Sequence, residues 1–109
     1  MDRLIRLNQT VGSGIARAFK LNNGMWIPSI GLGSVGLNTA KSIEAAVMET
    51  GYVYIDTAST YQNEHIVGEA LQNCFKRGKK REDVFVITKL DSHEQNDVHK
   101  YLKDSLGRL

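Results

Sequence analysis

The chain has 109 residues, enough for one domain of ordinary size, and its 41% hydrophobic and 24% charged residues are typical of a globular protein. The single cysteine excludes an internal disulfide, and no apolar run approaches the ~20 residues that cross a bilayer. The three histidines show no metal-ligand spacing, and a net charge of +2 is too small to indicate nucleic-acid binding by itself.

The first 17 residues are predicted to form an N-terminal extension of a cytoplasmic protein. They contain Arg3, Arg6 and Arg17, with Asp2 as the one acidic residue. An arginine-containing, acid-poor start is also typical of a mitochondrial presequence, which is the alternative interpretation. Asp2 fits a presequence poorly, so the sequence favours an extension.

From residue 18 onward the chain is predicted to alternate strands and helices. Asn23-Gly24 between two short apolar segments indicates a β-hairpin. After the hairpin, short apolar runs typical of strands alternate with segments in which apolar residues have helical spacing. In chain order, the predicted elements are hairpin strands at 18–21 and 25–28, a strand at 30–33, a helix at 39–50, a strand at 52–56, a helix from Asn63, a strand at 84–88 and a helix from Asn96.

Capping residues and apolar stripes define the three predicted helices. Asn38 or Thr39 caps the first, Gly51 ends it, and Asn63 caps the second. The run VFVI at 84–87 predicts a strand that is covered on both faces. The predicted stripe of the second helix is Ile66, Val67, Ala70, Leu71, Cys74 and Phe75, and the predicted inner side of the third is Val98, Tyr101, Leu102, Ser105 and Leu109.

Five cations lie in the six residues 76–81, KRGKKR. Such a run could bind phosphate backbones, which would make the chain a small nucleic-acid-binding module. It also follows the second predicted helix, where cations complement the helix dipole and Gly78 can act as the C-cap. Because no aromatic residues are interleaved with it, we interpret the run as a solvated helix terminus.

The alternation of strands and helices implies parallel strands joined by right-handed crossovers. No GxGxxG follows a strand, so a Rossmann site is not indicated. We therefore predict an α/β fold: a hairpin plus about three β/α units of an incomplete (β/α)8 TIM-type barrel. Catalytic residues of such barrels lie at the carboxyl ends of strands and in the loops that follow. Asp56 ends the strand at 52–56, Tyr61 lies in the loop after it, and Lys89 ends the next strand.

Five segments resemble those of the aldo-keto reductases. The motif around Asp56 is the most specific of them, and the resemblance runs from about Phe19 to Leu109. It covers most of the domain predicted at 18–109. The segments are IPSIGLG at 27–33, GYVYIDTA at 51–58, YQNE at 61–64, VGEAL at 67–71 and VFVITKL at 84–90.

The resemblance implies NADP(H)-dependent reduction of an aldehyde or ketone on a (β/α)8 barrel. Tyr61 would be the general acid that protonates the carbonyl oxygen as hydride reaches the carbon. Lys89 would favour the phenolate form of that tyrosine. Asp56 would pair with Lys89 and fix its position. The cofactor would supply the hydride, and the protein would supply orientation and electrostatics.

The resemblance also implies a cofactor-binding set, which consists of Gly33, Ser34, Val35 and Asp56. The backbone at 33–35 would border the nicotinamide. Ser34 and Val35 depart from the threonine and the aromatic residue that are usual there, which affects the expected substrate selectivity. No metal ion is expected.

The resemblance covers about three of the eight β/α units of a barrel. The family's catalytic histidine follows a strand that would begin after Leu109, so His93 and His99 are not assigned its role. We expect an N-terminal part of such a reductase that is inactive as 109 residues alone. The alternative is a catalytically inactive relative that acts as a structural subunit, with other protein subunits covering the open face of the barrel.

Overall fold

The structure is a computed structural model that describes residues 18–109. This part of the chain begins with an antiparallel hairpin. β1 (Ala18–Lys20) pairs with β2 (Trp26–Pro28). In the connecting turn Gly24 has a φ of +86°, a conformation that glycine adopts without steric cost. The predicted hairpin is confirmed. The extension and the alternative presequence predicted at 1–17 lie outside the described residues.

Three short parallel strands form the sheet that follows. They are β3 (Leu32–Gly33), β4 (Tyr54–Asp56) and β5 (Phe85–Ile87), with β4 in the centre. Both pairings are parallel, as predicted. Each strand is shorter than its predicted segment: β3 and β4 begin two residues later than predicted and end where predicted, and β5 lacks one residue at each end.

Three α-helices alternate with these strands, which confirms the predicted β/α units. In the described residues, 18–109, no helix is long and apolar enough to cross a membrane. The α-helices are α1 (Ala40–Met48), α2 (Glu64–Lys76) and α3 (Val98–Arg108), and short 3-10 helices occur at Ser59–Tyr61, Arg81–Asp83 and Ser92–Asp97.

The helix ends lie close to their predicted positions, but two caps differ from the prediction. Thr39 and Asn63 occupy the N-cap positions of α1 and α2, and neither side chain caps its helix. The Thr39 hydroxyl bonds to the Ser42 hydroxyl at 2.9 Å instead. Gly51 follows α1 with a φ of +86°, and Gly78 follows α2 with a φ of +101°. The basic run therefore ends a helix, as predicted.

The hydrophobic core lies between the helices and one face of the sheet. Ile55 of β4 is fully buried in it, and Val86 of β5 packs against it. Tyr54 and Phe85 lie on the other face, where their rings meet edge to face with centroids 5.8 Å apart. All of β5 is half-buried, so the predicted coverage of both its faces is wrong within the described residues. The buried cluster consists of Ile43, Val47, Ile55, Val67, Ala70, Leu71, Cys74 and Val84.

α3 buries one residue, Ser105, and leaves the apolar side chains of Val98, Leu102 and Leu106 exposed. Ser105 is fully buried, and Leu109 packs against the core. Val98 and Leu102, which the periodicity places on the inner side, are 53% and 45% exposed. That part of the prediction is wrong, because the polar contacts of α3 with α2 run through Ser105 and Arg108.

Gly68 permits the close approach of α2 and α3. A Cβ at this position would overlap the carbonyl oxygen of Arg108 and lie 3.1 Å from the Cα of Leu109. Both are main-chain atoms, so neither can move aside without shifting the helix end. Gly107, in α3, is different: a Cβ there would meet no atom within 4 Å.

Gly68→Ala is expected to lower the free energy of unfolding by about 1–3 kcal/mol, because overpacking at a close contact displaces backbone. The matched variant Gly107→Ala is expected to raise it by about 0.5–1 kcal/mol, since alanine is preferred to glycine inside a helix. Urea unfolding followed by circular dichroism measures both. Equal effects of the two substitutions would contradict the close packing at Gly68.

Candidate active site

Three ionisable side chains converge where β4 and β5 end. Asp56 is the last residue of β4, and Tyr61 ends the 3-10 helix in the loop that follows. Lys89 comes two residues after β5. Because the carboxyl ends of parallel strands meet at the same edge of a sheet, the β4–β5 pairing brings the two loops together.

Lys89 contacts both of the other residues. Its Nζ donates to Asp56 Oδ1 in an ion pair, and it lies over the Tyr61 ring, 5.1 Å from the centroid. The side chains of Lys89 and Asp56 are 45% and 40% exposed, so the pair is open to a small molecule. The structure thus places the three residues that the sequence singled out in one cluster.

The pKa of Lys89 is raised above its ordinary value. The largest cause is the hydrogen bond to Asp56, and the neighbouring Tyr61 adds to it, while partial burial opposes it. A raised pKa means that the ammonium form persists over a wider pH range. The arrangement therefore holds a stable positive charge against a tyrosine ring.

The segment at 33–35 lies beside this cluster. Gly33 pairs with Asp56 across β3 and β4. The N–H and the hydroxyl of Ser34 both donate to the main-chain oxygen of Asp56, at 3.0 and 2.8 Å. Ser34 is fully buried, whereas Val35 is 68% exposed. The Ser34 hydroxyl is therefore occupied by an internal hydrogen bond, whereas the Val35 side chain forms an exposed apolar surface at this edge.

Asn63 secures the Tyr61 loop in a way that the sequence analysis missed. Its Nδ2 donates to the main-chain oxygens of Ser34 and Leu37, at 2.6 and 2.9 Å. The side chain is buried, so these bonds replace the helix cap that the local pattern predicts. The loop after β4 is thereby tied to the loop after β3.

Glu94 secures the other side of the cluster. Its buried carboxylate accepts hydrogen bonds from the Ser59 hydroxyl and, at 2.8 Å, from the N–H of Asp91. Asp91 and Glu94 form a capping box at the start of the 3-10 helix Ser92–Asp97. The spacing of Asp91 and Glu94 was a visible signal for that box in the sequence.

Across residues 18–109 no group of three or more histidine, cysteine, aspartate or glutamate side chains is arranged to hold a metal ion. The cluster brings together a phenol from Tyr61, an ammonium from Lys89 and a carboxylate from Asp56.

Residues 20–109 match the family model described as "Aldo/keto reductase family". D-galacturonate reductase of Hypocrea jecorina is 48% identical over 98 residues, covering 87% of this chain and 31% of that protein. Aldose reductase C of Dictyostelium discoideum is 42% identical over 97 residues, covering 84% of this chain and 30% of that protein. The chain thus spans about a third of the length of these curated relatives.

Solved structures give the same result. The crystal structure of an aldo/keto reductase from Brucella melitensis aligns with a TM-score of 0.73 and 35% identity, over 84% of this chain and 36% of that one. An aldo-keto reductase from a Medee basin deep-sea metagenome library aligns with a TM-score of 0.74 and 36% identity, over 83% of this chain and 34% of that one. The predicted barrel fold and the family resemblance are confirmed.

The hydrogen bonds of the Glu94 carboxylate are expected to make the stability of the fold depend on pH. The Ser59 hydroxyl and the Asp91 N–H hold the pKa of its carboxyl below the ordinary value. A carboxyl whose pKa is lower in the folded than in the unfolded state adds stability above the unfolded value, and that contribution is lost as the pH falls through the folded value. Glu94→Gln is therefore expected to flatten the decline in the free energy of unfolding as the pH falls below about 5.

The exposed Glu69 provides the matched control. Glu69→Gln makes the same substitution at an exposed position, and its curve separates the effect of the Glu94 hydrogen bonds from that of removing one carboxylate. Urea unfolding at a series of pH values measures all three proteins. Parallel curves for the unsubstituted chain and Glu94→Gln would contradict the role assigned to Glu94.

Proposed function

Because the chain belongs to the aldo/keto reductase family, we propose that residues 18–109 carry the proton-donating part of an NADP(H)-dependent reductase that converts an aldehyde or ketone to an alcohol. The observation that carries the proposal is Lys89, whose ammonium pairs with Asp56 and lies over the Tyr61 ring. A phenol beside a fixed positive charge is suited to donate a proton and to remain as a phenolate.

Tyr61 donates the phenolic proton to the carbonyl oxygen of the substrate as the carbonyl carbon is reduced. The Lys89 ammonium stabilises the phenolate that remains, because opposite charges a few ångströms apart attract strongly where solvent is partly excluded. Asp56 holds Lys89 in place and supports its protonated form. When bound, the reduced nicotinamide cofactor supplies the hydride.

Gly33, Val35 and Asp56 are the side of the site that would border the cofactor, with the backbone of Ser34 between them. The chemistry of this edge fits a flat nicotinamide ring. No atom lies within 4 Å of a Cβ built at Gly33, and the exposed Val35 offers an apolar surface beside the Asp56 carboxylate. Ser34 holds this edge in place: it is fully buried, and its N–H and hydroxyl both donate to the main-chain oxygen of Asp56.

The names of the two relatives suggest the first substrates to test. One is a reductase of D-galacturonate and the other an aldose reductase. Both names indicate hydroxylated aldehydes. We propose this class of carbonyl compound for the site.

The alternative proposal is a structural subunit without catalytic activity. Exposed apolar side chains on α3 favour it, since Leu102 is 45% and Leu106 64% exposed. An apolar surface of this kind is typical of a face that another protein surface covers. An assay of catalysis separates the two proposals.

The assay uses a chimera in which residues 20–109 replace the matching segment of Dictyostelium aldose reductase C. This chimera is expected to oxidise NADPH in the presence of an aldose, because the relative supplies the rest of the barrel. Tyr61→Phe in the chimera should lower kcat by about 10²–10⁴-fold, the usual contribution of general acid catalysis. The absorbance of the reduced nicotinamide measures the rate.

Tyr101→Phe is the matched control, because it removes a hydroxyl from a tyrosine on α3 and should leave kcat unchanged. Tyr61→Phe with full activity would contradict the proposed role of Tyr61. A folded chimera that binds NADPH and reduces no carbonyl compound would favour the structural subunit.

A further inference from the structure

Glu64 places a carboxylate in the interior of the protein. It is the first residue of α2, three positions after Tyr61, and only 1% of it is exposed. A buried carboxylate is tolerated when its charge is paired and its oxygens are hydrogen-bonded. Its partners are Thr88 Oγ1 at 2.6 Å, Ser105 Oγ at 3.2 Å, Arg108 Nε at 2.9 Å and Arg108 Nη2 at 2.7 Å.

The two oxygens of this carboxylate have separate partners. Oε1 accepts from Ser105 and Arg108, both on α3, and the Arg108 guanidinium balances the charge. Oε2 accepts from the Thr88 hydroxyl. The Arg108 guanidinium of α3 therefore neutralises the Glu64 carboxylate by itself, and the hydrogen bond to Thr88 is not required for that neutralisation.

The Thr88 bond connects the two loops that carry the reactive groups. Thr88 directly precedes Lys89, and Glu64 closely follows Tyr61. The turn containing Tyr61 is fixed at its start by the Ser59 N–H, which donates to the Lys89 main-chain oxygen at 3.1 Å. Between that bond and Glu64 the chain turns through Gln62, whose φ is +57°. Both ends of the turn are thus tied to the chain around Lys89.

We propose that Glu64 is a positioning residue that acts through the Thr88 hydroxyl to hold the Tyr61 ring against the Lys89 ammonium. This inference rests on the proposed function, since it gives Glu64 a part in aligning the proton donor with its charge partner. A purely structural role would need only the α3 contacts. The two roles therefore differ in what happens when one oxygen of the carboxylate loses its partner.

The test is the ring-current shift of the Lys89 ε-methylene protons in an NMR spectrum of the full chain without cofactor. Since Lys89 Nζ lies over the Tyr61 ring, these protons are expected upfield of their usual position, and Tyr61→Leu identifies the displacement by removing it. Thr88→Val, which lacks the hydroxyl at nearly the same volume, should lose most of the displacement. Thr88→Ser keeps the hydroxyl and should retain it.

Ser105→Ala is the matched control, because it removes a hydrogen bond to the same carboxylate at the other oxygen. It should keep the displacement even where it lowers the free energy of unfolding as much as Thr88→Val does. If Thr88→Val does not fold, Thr88→Cys replaces it, since a thiol is a weak donor of similar size, and a partial loss is expected.

Two results would overturn the inference in different ways. The first result is an equal displacement of the Lys89 protons in Thr88→Val, Ser105→Ala and the unsubstituted chain. Where Thr88→Cys is used in place of Thr88→Val, the equivalent result is that Thr88→Cys retains the full displacement. Either result would show that Glu64 has only a structural role, and the proposed function would stand. No displacement in the folded, unsubstituted chain would remove the contact between Lys89 and Tyr61, and with it both the inference and the main support of the proposed function.

Discussion

The parallel pairing of β4 with β3 and β5 is the constraint on which the candidate site depends. In this register Asp56 lies opposite Gly33 on one side and Ile87 on the other. Side chains alternate along a strand, so Ile55 enters the core while Asp56 reaches the Lys89 ammonium. A slip of one residue would exchange the two. It would bury a carboxylate in the apolar core and leave isoleucine beside the lysine.

The hydrophobic core stabilises the sheet, and hydrogen bonds of buried polar side chains fix the conformations of the loops. Asn63, Glu64 and Glu94 are each nearly inaccessible to solvent, and each bonds to a segment remote in sequence. A buried polar group is costly unless its partners are in place, so such contacts favour one arrangement of the loops over its alternatives. The loops that carry Tyr61 and Lys89 are therefore constrained although they contain little regular structure.

Local patterns in the sequence were sufficient to predict the order of strands and helices and to place Asp56, Tyr61 and Lys89 at one edge of the sheet. Asn23-Gly24 predicted the hairpin, and periodicity placed Asp56 and Lys89 at the ends of neighbouring strands. The contacts of Asn63 and Glu64 were not predictable in this way, because their partners lie 24 to 44 positions away and are brought together by packing. Periodicity likewise identified the apolar side of α3 and could not say which part of it is covered. Residues 33–35, Asp56, Tyr61 and Lys89 were assigned their roles by family resemblance, and those roles remain proposals.

The most direct test of this account is the titration of Lys89, followed by NMR in the unsubstituted chain and in Asp56→Asn. The ion pair raises the pKa of Lys89, so in the unsubstituted chain this lysine should titrate above the ordinary range for lysine. Asp56→Asn should lower its pKa toward that range while circular dichroism confirms that the fold is kept. A Lys89 that titrates like an isolated lysine in both folded proteins would contradict the coupling between the strand ends.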